Sequence, residues 1–322
     1  MAAGDLKRRE DRRWGVLLLA HGAPDRVEDI PEFLLNVRSG RPLPRPAVEE
    51  IVRRYKLIGG GSPLLELTRR QASALAKVVN HPVYFGMRNW KPFIAEAVRQ
   101  IQGDGVERVV VLCLAPHNSR TSIGLYRKYL LEALQKHAPH IAVDFIENWH
   151  DHPLLVAAFQ ERIAAALSPL KAEAGAPVPL IFTAHSVPEK TIAEGDPYER
   201  QVRETASLVA KGMGLTNWCV AFQSQGMTAE PWIGPTVESQ IDELAAAGHR
   251  HVLLAPIGFV SDHVEILYDI DVLFQQYGKS KGVRIVRSES LNDSPLFVQA
   301  LAAIVAARMG STQASVSSGE SH

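Results

Sequence analysis

VPLIFTAHSVP, residues 178–188, is the stretch that decides the fold. It is an apolar run ending at His185, where a buried strand must give way to a polar turn. A second apolar run begins at Leu253 and leads through a short loop to Glu265 in the stretch LLAPIGFVSDHVEILYDID. If both runs are strands of one parallel sheet, their carboxyl ends lie at the same sheet edge. The imidazole and the carboxylate then converge on one crevice, where they suit a borderline divalent metal such as Fe2+.

Short apolar runs alternate with helical stretches along the whole chain. Several runs are apolar at consecutive positions, which is typical of parallel strands that are buried on both faces. We predict strands at 14–21, 83–88, 108–116, 141–149, 178–185, 218–225, 251–259 and 284–290. We predict helices at 63–79, 92–102, 123–137, 153–167, 197–213, 234–247 and 295–309. This alternation predicts an α/β fold with right-handed crossovers.

Echoes in the sequence indicate two copies of one structural unit. Gly61-Ser-Pro and Gly195-Asp-Pro each begin a helix that reaches Ala-Lys after the same number of residues. The stretch LAHGAP around His21 parallels TAHSVP around His185. We therefore predict two similar doubly wound domains, each with a four-stranded parallel sheet flanked by helices.

The predicted domain boundary lies in the linker near residue 150. The first domain then covers residues 1–149 and the second, which carries the metal site, covers 150–293. We group the closing helix, residues 294–309, with the first domain, although packing on either half is open. Residues 310–322 are small and polar, so we expect a disordered tail.

Composition narrows the class of protein. Acidic and basic residues number 35 each, so charge gives no reason to expect a nucleic-acid or anionic membrane partner. The chain has neither a run of ~18 apolar residues, as a transmembrane helix requires, nor a secretory signal. Two cysteines, Cys113 and Cys219, lie in predicted strands, which argues against a disulfide and against an iron–sulfur cluster with its four thiolates. We expect a cytoplasmic protein.

Topology places the chemistry at the crevices of the two sheets. In a doubly wound sheet of order 2-1-3-4 the first and third strands are neighbours, and ligands bind where the winding reverses. This brings His185 and Glu265 together in the second half, and it places His21 and His117 at the corresponding point of the first half. Two facing crevices could hold a large, flat ligand.

Each candidate residue also has a structural interpretation. A single histidine at a strand end is commonly a hydrogen-bonded structural residue, so position alone leaves His185 undecided. Asp262-His-Val-Glu265 has the spacing of a capping box, so Glu265 could equally close a helix start. Asp269, one turn beyond Glu265, either extends an outer path for cations and protons or is an ordinary solvated residue. His263, two residues before Glu265, is expected to point elsewhere.

Four long motifs then resemble those of the ferrochelatase family. They are YKLIGGGSP (55–63), FTAHSVPEKTIAEGDPY (182–198), FQSQGMTAEPWIGP (222–235) and GFVSDHVEILYDID (258–271). The resemblance covers roughly residues 14–308, with the motifs in the family's order. It implies an enzyme of haem biosynthesis that inserts Fe2+ into a porphyrin, on a fold of two similar α/β domains. Fe2+ and the porphyrin would then be substrates, and no cofactor would be permanently bound.

Site residues follow from the resemblance by position. His185 and Glu265 match the family's iron-site histidine and glutamate, which implies that both are catalytic and bind the metal. Positions that contact the tetrapyrrole are matched by Arg38, Arg54, Tyr55, Ser62 and Tyr126. Arginine and hydroxyl groups suit this contact because they bind propionate carboxylates through charge-assisted hydrogen bonds. His21 stands where the bacterial branch that acts on coproporphyrin commonly has a tyrosine able to face the metal, and is either an axial ligand or a bystander.

The choice of porphyrin and two other functions stay open. FLLNVRSGRPLPRP (33–46) and LAPHNSRTSIGLY (114–126) are similar to the bacterial branch that acts on coproporphyrin III, whereas the departure at His21 keeps protoporphyrin IX open. One alternative is a non-catalytic haem or porphyrin carrier with His21 as axial ligand. Another is a cobalt or nickel chelatase of the same superfamily. We expect a monomer.

Overall fold

A computed structural model describes residues 14–226 and 230–317, with side chains as far as residue 310. Residues 1–13 of the predicted first domain and residues 318–322 of the predicted tail lie outside the described residues. Residues 227–229, within the third motif, also lie outside them.

The first sheet is formed by four parallel strands in the order β2-β1-β3-β4. Its strands are β1 (Trp14–Ala20), β2 (Val83–Met87), β3 (Arg108–Cys113) and β4 (Ala142–Ile146). Strand β1 is buried along its whole length because strands and helices cover it on all sides. The register places Leu18 beside Phe85 on one neighbour and Leu112 on the other.

The second sheet repeats this arrangement in the order β6-β5-β7-β8, again with all strands parallel. Its strands are β5 (Leu180–His185), β6 (Trp218–Gln223), β7 (His251–Ala255) and β8 (Arg284–Arg287). The predicted fold class, two similar doubly wound halves with four-stranded parallel sheets, is confirmed.

Most predicted strands run past their observed carboxyl ends. Strand β7, predicted to reach residue 259, ends at Ala255. The apolar pattern continues because Ile257 and Val260, in the loop after the strand, are also buried. In this region hydrophobic residues therefore indicate which positions are buried, but they do not indicate the last residue of the strand.

Helices cover both faces of each sheet. They are α1 (Ile30–Val37), α2 (Arg45–Leu57), α3 (Leu64–Val79), α4 (Ile94–Gly103), α5 (Ile123–His137), α6 (Pro153–Ala174), α7 (Glu189–Ala193), α8 (Tyr198–Gly212), α9 (Val237–Ala246), α10 (Val264–Leu267), α11 (Gln275–Ser280) and α12 (Pro295–Ser317). A 3-10 turn covers Val27–Asp29, and a π-helix covers Asp269–Phe274 directly after α10. No helix among the described residues has both the length and the apolar character needed to cross a membrane.

Helix α12 joins the two halves. It packs against α3 of the first half and against α6 of the second, and Phe297 stacks on Trp149 with ring centroids 6.1 Å apart. Helix α12 continues through residues 310–317 into the predicted tail, and the disorder of that tail stays a prediction. This stretch contains no proline, and an existing helix propagates at lower cost than a new one nucleates.

Candidate active site

The loop between β7 and α10 lies directly against the end of β5. The Gly258 amide donates to the Thr183 carbonyl at 3.0 Å. A Cβ atom on Gly258 would lie 2.6 Å from Ala184 Cα, so this close approach requires glycine. The loop thereby carries Glu265 to the end of the strand that carries His185. Their Nε2 and Oε1 atoms lie 3.7 Å apart, so the predicted meeting of these two side chains is confirmed.

A second imidazole also contacts the carboxylate. His263 Nε2 lies 3.7 Å from Glu265 Oε2, and His263 Nδ1 donates to the Ser261 carbonyl at 3.0 Å. The expectation that His263 points elsewhere is therefore wrong. His263 is the extended N-cap residue of α10, with φ −160°, so helical spacing does not apply to its side chain. One imidazole thus faces each oxygen of the Glu265 carboxylate, and both ligand types suit a borderline divalent cation.

The capping-box interpretation of Glu265 is excluded by the same geometry. Helix α10 begins at Val264, with His263 as its N-cap and no side-chain cap hydrogen bond. The Asp262 carboxylate instead accepts from the Ser290 hydroxyl at 2.7 Å and from the Asn292 amide at 2.9 Å. Glu265 therefore has no capping role, and its side chain, 31% exposed, faces the histidines.

Glu265 is ionised at neutral pH. Burial alone would raise the pKa of this carboxyl, but the charges of His185 and His263 and the His263 contact lower it to about 2. Burial would in turn lower the pKa of His263, whereas the contact with Glu265 and its charge raise it above the ordinary value. An imidazole must be neutral to bind a metal, and once both rings have lost their protons the ionised carboxylate gives the site a net negative charge that favours a cation.

Asp269 lies on the π-helix and is nearly inaccessible, at 6% exposure. It accepts a hydrogen bond from the Ser224 hydroxyl. Burial, opposed by this hydrogen bond and assisted by the charge of Glu265, raises the pKa of Asp269 to about 6. A carboxyl group with this pKa can gain or lose a proton near neutral pH. Its predicted function in an outer path for cations or protons stays a prediction.

His21 comes to the same region from the end of β1. Its Nδ1 donates to the Gly22 carbonyl at 2.9 Å, and its Nε2 accepts from the Asn89 amide at 3.0 Å. His21 as a whole is exposed. Its imidazole ring is nevertheless surrounded by enough protein atoms to lose much of its hydration. This desolvation and the charge of Arg88 lower the pKa of His21 to about 4, so the ring is neutral at pH 7. Axial coordination through Nε2 would first require loss of the Asn89 hydrogen bond.

Helix α2 brings two arginines to the site. The Arg54 guanidinium lies 5.0 Å from the centre of the Tyr268 ring and pairs with Glu50 at 3.0 Å. Arg53, which sequence reasoning missed, donates to the Tyr268 hydroxyl at 2.7 Å. The only feature of the sequence that could have indicated a role for Arg53 is its position beside Arg54. Arg38, also a predicted porphyrin contact, lies just after α1 and donates to the Arg41 carbonyl at 3.1 Å.

Three predicted porphyrin contacts are buried side chains. Tyr55 is 1% exposed, and its hydroxyl has no hydrogen-bond partner among the described residues. Ser62 Oγ accepts from the Leu64 amide at 3.3 Å, so this hydroxyl supports the start of α3. The Arg88 guanidinium lies over the Tyr126 ring, and its Cζ atom is 5.1 Å from the centre of that ring. Contact of these residues with a porphyrin stays a prediction.

His117, expected at the first crevice, connects the two halves. Its ring is 2% exposed, and its Nε2 donates to the Thr205 hydroxyl of α8 at 3.0 Å. Burial, with a smaller contribution from His150, lowers the pKa of His117 to about 3. A neutral, hydrogen-bonded, buried histidine of this kind is structural.

The two parallel sheets and their helices give the protein the two-domain α/β fold of chelatase-like proteins. A solved structure of SirB from Bacillus subtilis with Fe3+ aligns with a TM-score of 0.56 at 11% identity, over 89% of this chain and 92% of that one. The sirohydrochlorin chelatase SirB from Bacillus subtilis subspecies spizizenii, in complex with cobalt, gives a TM-score of 0.54 at 12% identity, over 91% and 94%. At these identities the likeness shows the fold alone.

Sequence comparison defines the family within that class. The family model described as Ferrochelatase matches residues 13–309. Ferrochelatase of Acidobacterium capsulatum is 48% identical over 95% of this chain and 97% of its own length. The Coproporphyrin III ferrochelatase of Geobacillus thermodenitrificans is 37% identical over 92% and 96%. The chain belongs to the ferrochelatase family, and the resemblance seen in its motifs is confirmed.

Proposed function

We propose that this protein is a ferrochelatase that inserts Fe2+ into a porphyrin. The observation that carries the proposal is the approach of His185 Nε2 to Glu265 Oε1 at 3.7 Å, in a chain of the ferrochelatase family. Metal entry replaces the two inner N–H protons of the macrocycle with one Fe2+, so the site must deliver a cation and accept two protons. An imidazole beside an ionised carboxylate supports both tasks.

The two principal residues have separable functions in this proposal. The Nδ1 atom of His185 donates to the Ser186 carbonyl, which leaves Nε2 directed at Glu265. This nitrogen accepts a pyrrole proton or holds the incoming iron. Glu265, ionised because its pKa is about 2, attracts Fe2+ and replaces part of its water shell. Asp269, with a pKa of about 6, takes up a released proton.

We propose coproporphyrin III as the preferred porphyrin, with protoporphyrin IX as the alternative. The support is the presence of named coproporphyrin III ferrochelatases among the relatives, at 37% identity for that of Geobacillus thermodenitrificans. Arg38, Arg53 and Arg54 also supply guanidinium groups from the first half, and coproporphyrin carries four carboxylates where protoporphyrin carries two. Arginine binds carboxylates in bidentate pairs, so the more highly charged substrate gains more.

An anaerobic assay tests both parts of this proposal. The purified protein is mixed with Fe2+ and either porphyrin, and the change from the free-base to the metallated absorption spectrum is followed. Faster turnover of coproporphyrin III supports the proposal, and faster turnover of protoporphyrin IX overturns the choice of substrate. A spectrum that shifts on binding without metallation would indicate the carrier. Turnover with Co2+ or Ni2+ but not Fe2+ would indicate the other chelatase.

Further expectations belong to the same proposal. Fe2+ is a substrate, and no cofactor is permanently bound. Two cysteines, Cys113 and Cys219, are too few for the four ligands of an iron–sulfur cluster. We also propose a cytoplasmic monomer, to be measured by cell fractionation and analytical ultracentrifugation.

A further inference from the structure

One arginine holds both ends of the segment that carries the candidate site. Residues 262–271 include His263, Glu265 and Asp269. Arg287, the last residue of β8, donates from Nε and Nη2 to the two carboxylate oxygens of Asp271 at 2.7 and 2.9 Å. Its Nη1 donates to Asp262 Oδ1 at 3.2 Å. The guanidinium therefore connects the first and last residues of the segment.

The environment of Arg287 makes this connection firm. Its side chain is only 14% exposed, and the carboxylates of Asp262 and Asp271 are 19% and 34% exposed. Salt bridges at such partly buried positions are screened less by water than exposed ones. The planar guanidinium binds one carboxylate in a bidentate pair and a second through its remaining amino group, which a lysine ammonium cannot reproduce.

The segment needs support from outside because its own backbone is irregular. The four-residue helix α10 passes directly into the π-helix, which is a rare conformation. Other anchors come from flanking elements: Gln223 of β6 donates to the Glu265 carbonyl at 2.8 Å, and the Asn292 side chain accepts from the Asp262 amide at 2.9 Å. Within the described part of the chain, Arg287 is the side chain that hydrogen-bonds to both Asp262 and Asp271.

We propose that Arg287 is a positioning residue of the metal site, acting through Asp262 and Asp271 on His263 and Glu265. This inference rests on the proposed iron insertion, because only then does the placement of Glu265 set a rate. Catalytic groups must be held to a fraction of an ångström, and a misplacement of about 1 Å can lower a rate by about 10²-fold. The bidentate pair with Asp271 and the hydrogen bond to Asp262 hold the two ends of the segment on one rigid guanidinium group.

Matched arginine-to-lysine variants test the proposal. Arg287→Lys keeps the positive charge but loses the planar guanidinium that hydrogen-bonds to both carboxylates. Arg284→Lys is the control, since Arg284 lies on the same strand, pairs with Glu173 at 3.0 Å and is 59% exposed, away from the segment. Asp271→Asn weakens one end of the connection without removing the buried cation. Circular dichroism and thermal unfolding select variants that remain folded at the assay temperature.

Kinetics and direct metal binding supply the readouts. We expect Arg287→Lys to lower kcat by about 10- to 100-fold and to raise the KM for Fe2+, with the KM for the porphyrin unchanged. Asp271→Asn should change the same parameters by a smaller factor, and Arg284→Lys should change none. In Glu265→Gln protein, adding Arg287→Lys should cause little further loss of rate, because both changes act on one group.

Binding of Co2+ to the porphyrin-free protein, measured by calorimetry and absorption, separates this inference from the proposed function. If wild-type protein shows no turnover, the proposed function fails, whereas weaker Co2+ binding in Arg287→Lys than in Arg284→Lys still supports the positioning effect. Wild-type kinetic parameters and Co2+ affinity in folded Arg287→Lys protein overturn the inference. Equal losses in the two lysine variants also overturn it.

Discussion

At the scale of single residues, His185 is the side chain on which the proposed chemistry depends most. Replacing it with alanine removes the Nε2 atom that faces Glu265, whereas the pairing of β5 with β6 at this position involves backbone atoms only. Proton transfer by a positioned side chain typically contributes about 10²- to 10⁴-fold to a rate. We therefore expect His185→Ala to lose at least 10²-fold in Fe2+ insertion, while porphyrin binding, followed by fluorescence quenching, is retained.

His140→Ala serves as the control for this experiment. His140 is exposed and precedes β4, so it lies at the amino-terminal edge of the first sheet, opposite the crevice. Its replacement should leave turnover unchanged. Wild-type turnover in His185→Ala would remove His185 from the mechanism.

The second residue-scale prediction concerns the pH dependence of stability and Asp269. Its pKa is raised from 3.8 to about 6 in the folded protein, so the folded state retains this proton at pH values where the unfolded state has lost it. The contribution of Asp269 therefore lowers the free energy of unfolding as the pH rises from about 4 to 6, and the free energy stays lowered above pH 6. Asp269→Asn cannot ionise and avoids this cost.

Urea unfolding at pH 4 and at pH 8 measures the effect in metal-free protein. We expect the unfolding free energy of Asp269→Asn, relative to wild type, to increase by roughly 2 kcal/mol between these pH values. Asp25→Asn, at an exposed aspartate, is the comparison variant that also removes one carboxylate. A difference for Asp269→Asn that does not vary with pH would contradict the raised pKa.

At the scale of elements, the close crossing of the β7–α10 loop over β5 sets the distance between His185 and Glu265. Gly258→Ala would bring a Cβ atom within 2.6 Å of Ala184, so the loop must move away from the strand. We expect both lower thermal stability and a loss of insertion activity of about 10- to 100-fold. Differential scanning calorimetry and the absorbance assay measure the two effects.

Gly103→Ala is the matched control, because a Cβ atom at this position, the last residue of α4, meets no heavy atom within 4 Å. It should leave activity unchanged and either preserve or raise stability, since alanine favours helix over glycine. If Gly258→Ala keeps full activity, the close crossing does not set the site geometry.

The same elements show what sequence could and could not predict. Parallel topology was sufficient to bring His185 and Glu265 together, because consecutive apolar residues identify buried strands and their carboxyl ends share an edge. The direction of the His263 side chain and the hydrogen bonds of Arg287 to Asp262 and Asp271 were not predictable. They depend on an extended N-cap residue and on a strand end meeting a distant loop, and neither follows from residue spacing. Helices α1 and α2 were not predicted from the sequence. The contact of Arg53, on α2, with the Tyr268 hydroxyl was therefore missed.

At the scale of the whole molecule, the two halves share one apolar core. Leu18 and Leu112 of the first sheet belong to the same buried cluster as Phe182 and Leu253 of the second, with Phe297 of α12. Repeat symmetry in the sequence predicts two separate domains, yet this shared core and the helix between them connect the halves. We therefore expect the described part of the chain to unfold as one cooperative unit, with the site held by both halves.

Thr205→Val tests this coupling with a nearly isosteric change. The threonine hydroxyl donates to the His150 carbonyl at 2.8 Å and accepts from His117 at 3.0 Å, so valine leaves the buried His117 nitrogen without its partner. An unsatisfied buried polar group costs about 1–3 kcal/mol, and we expect this loss of stability with kcat unchanged. Hydrogen exchange should accelerate by the same factor in the slowest amides of β1 and of β5, because a cooperative unit opens as a whole. Acceleration confined to one sheet would show that the halves unfold separately, and the shared core would then not couple them.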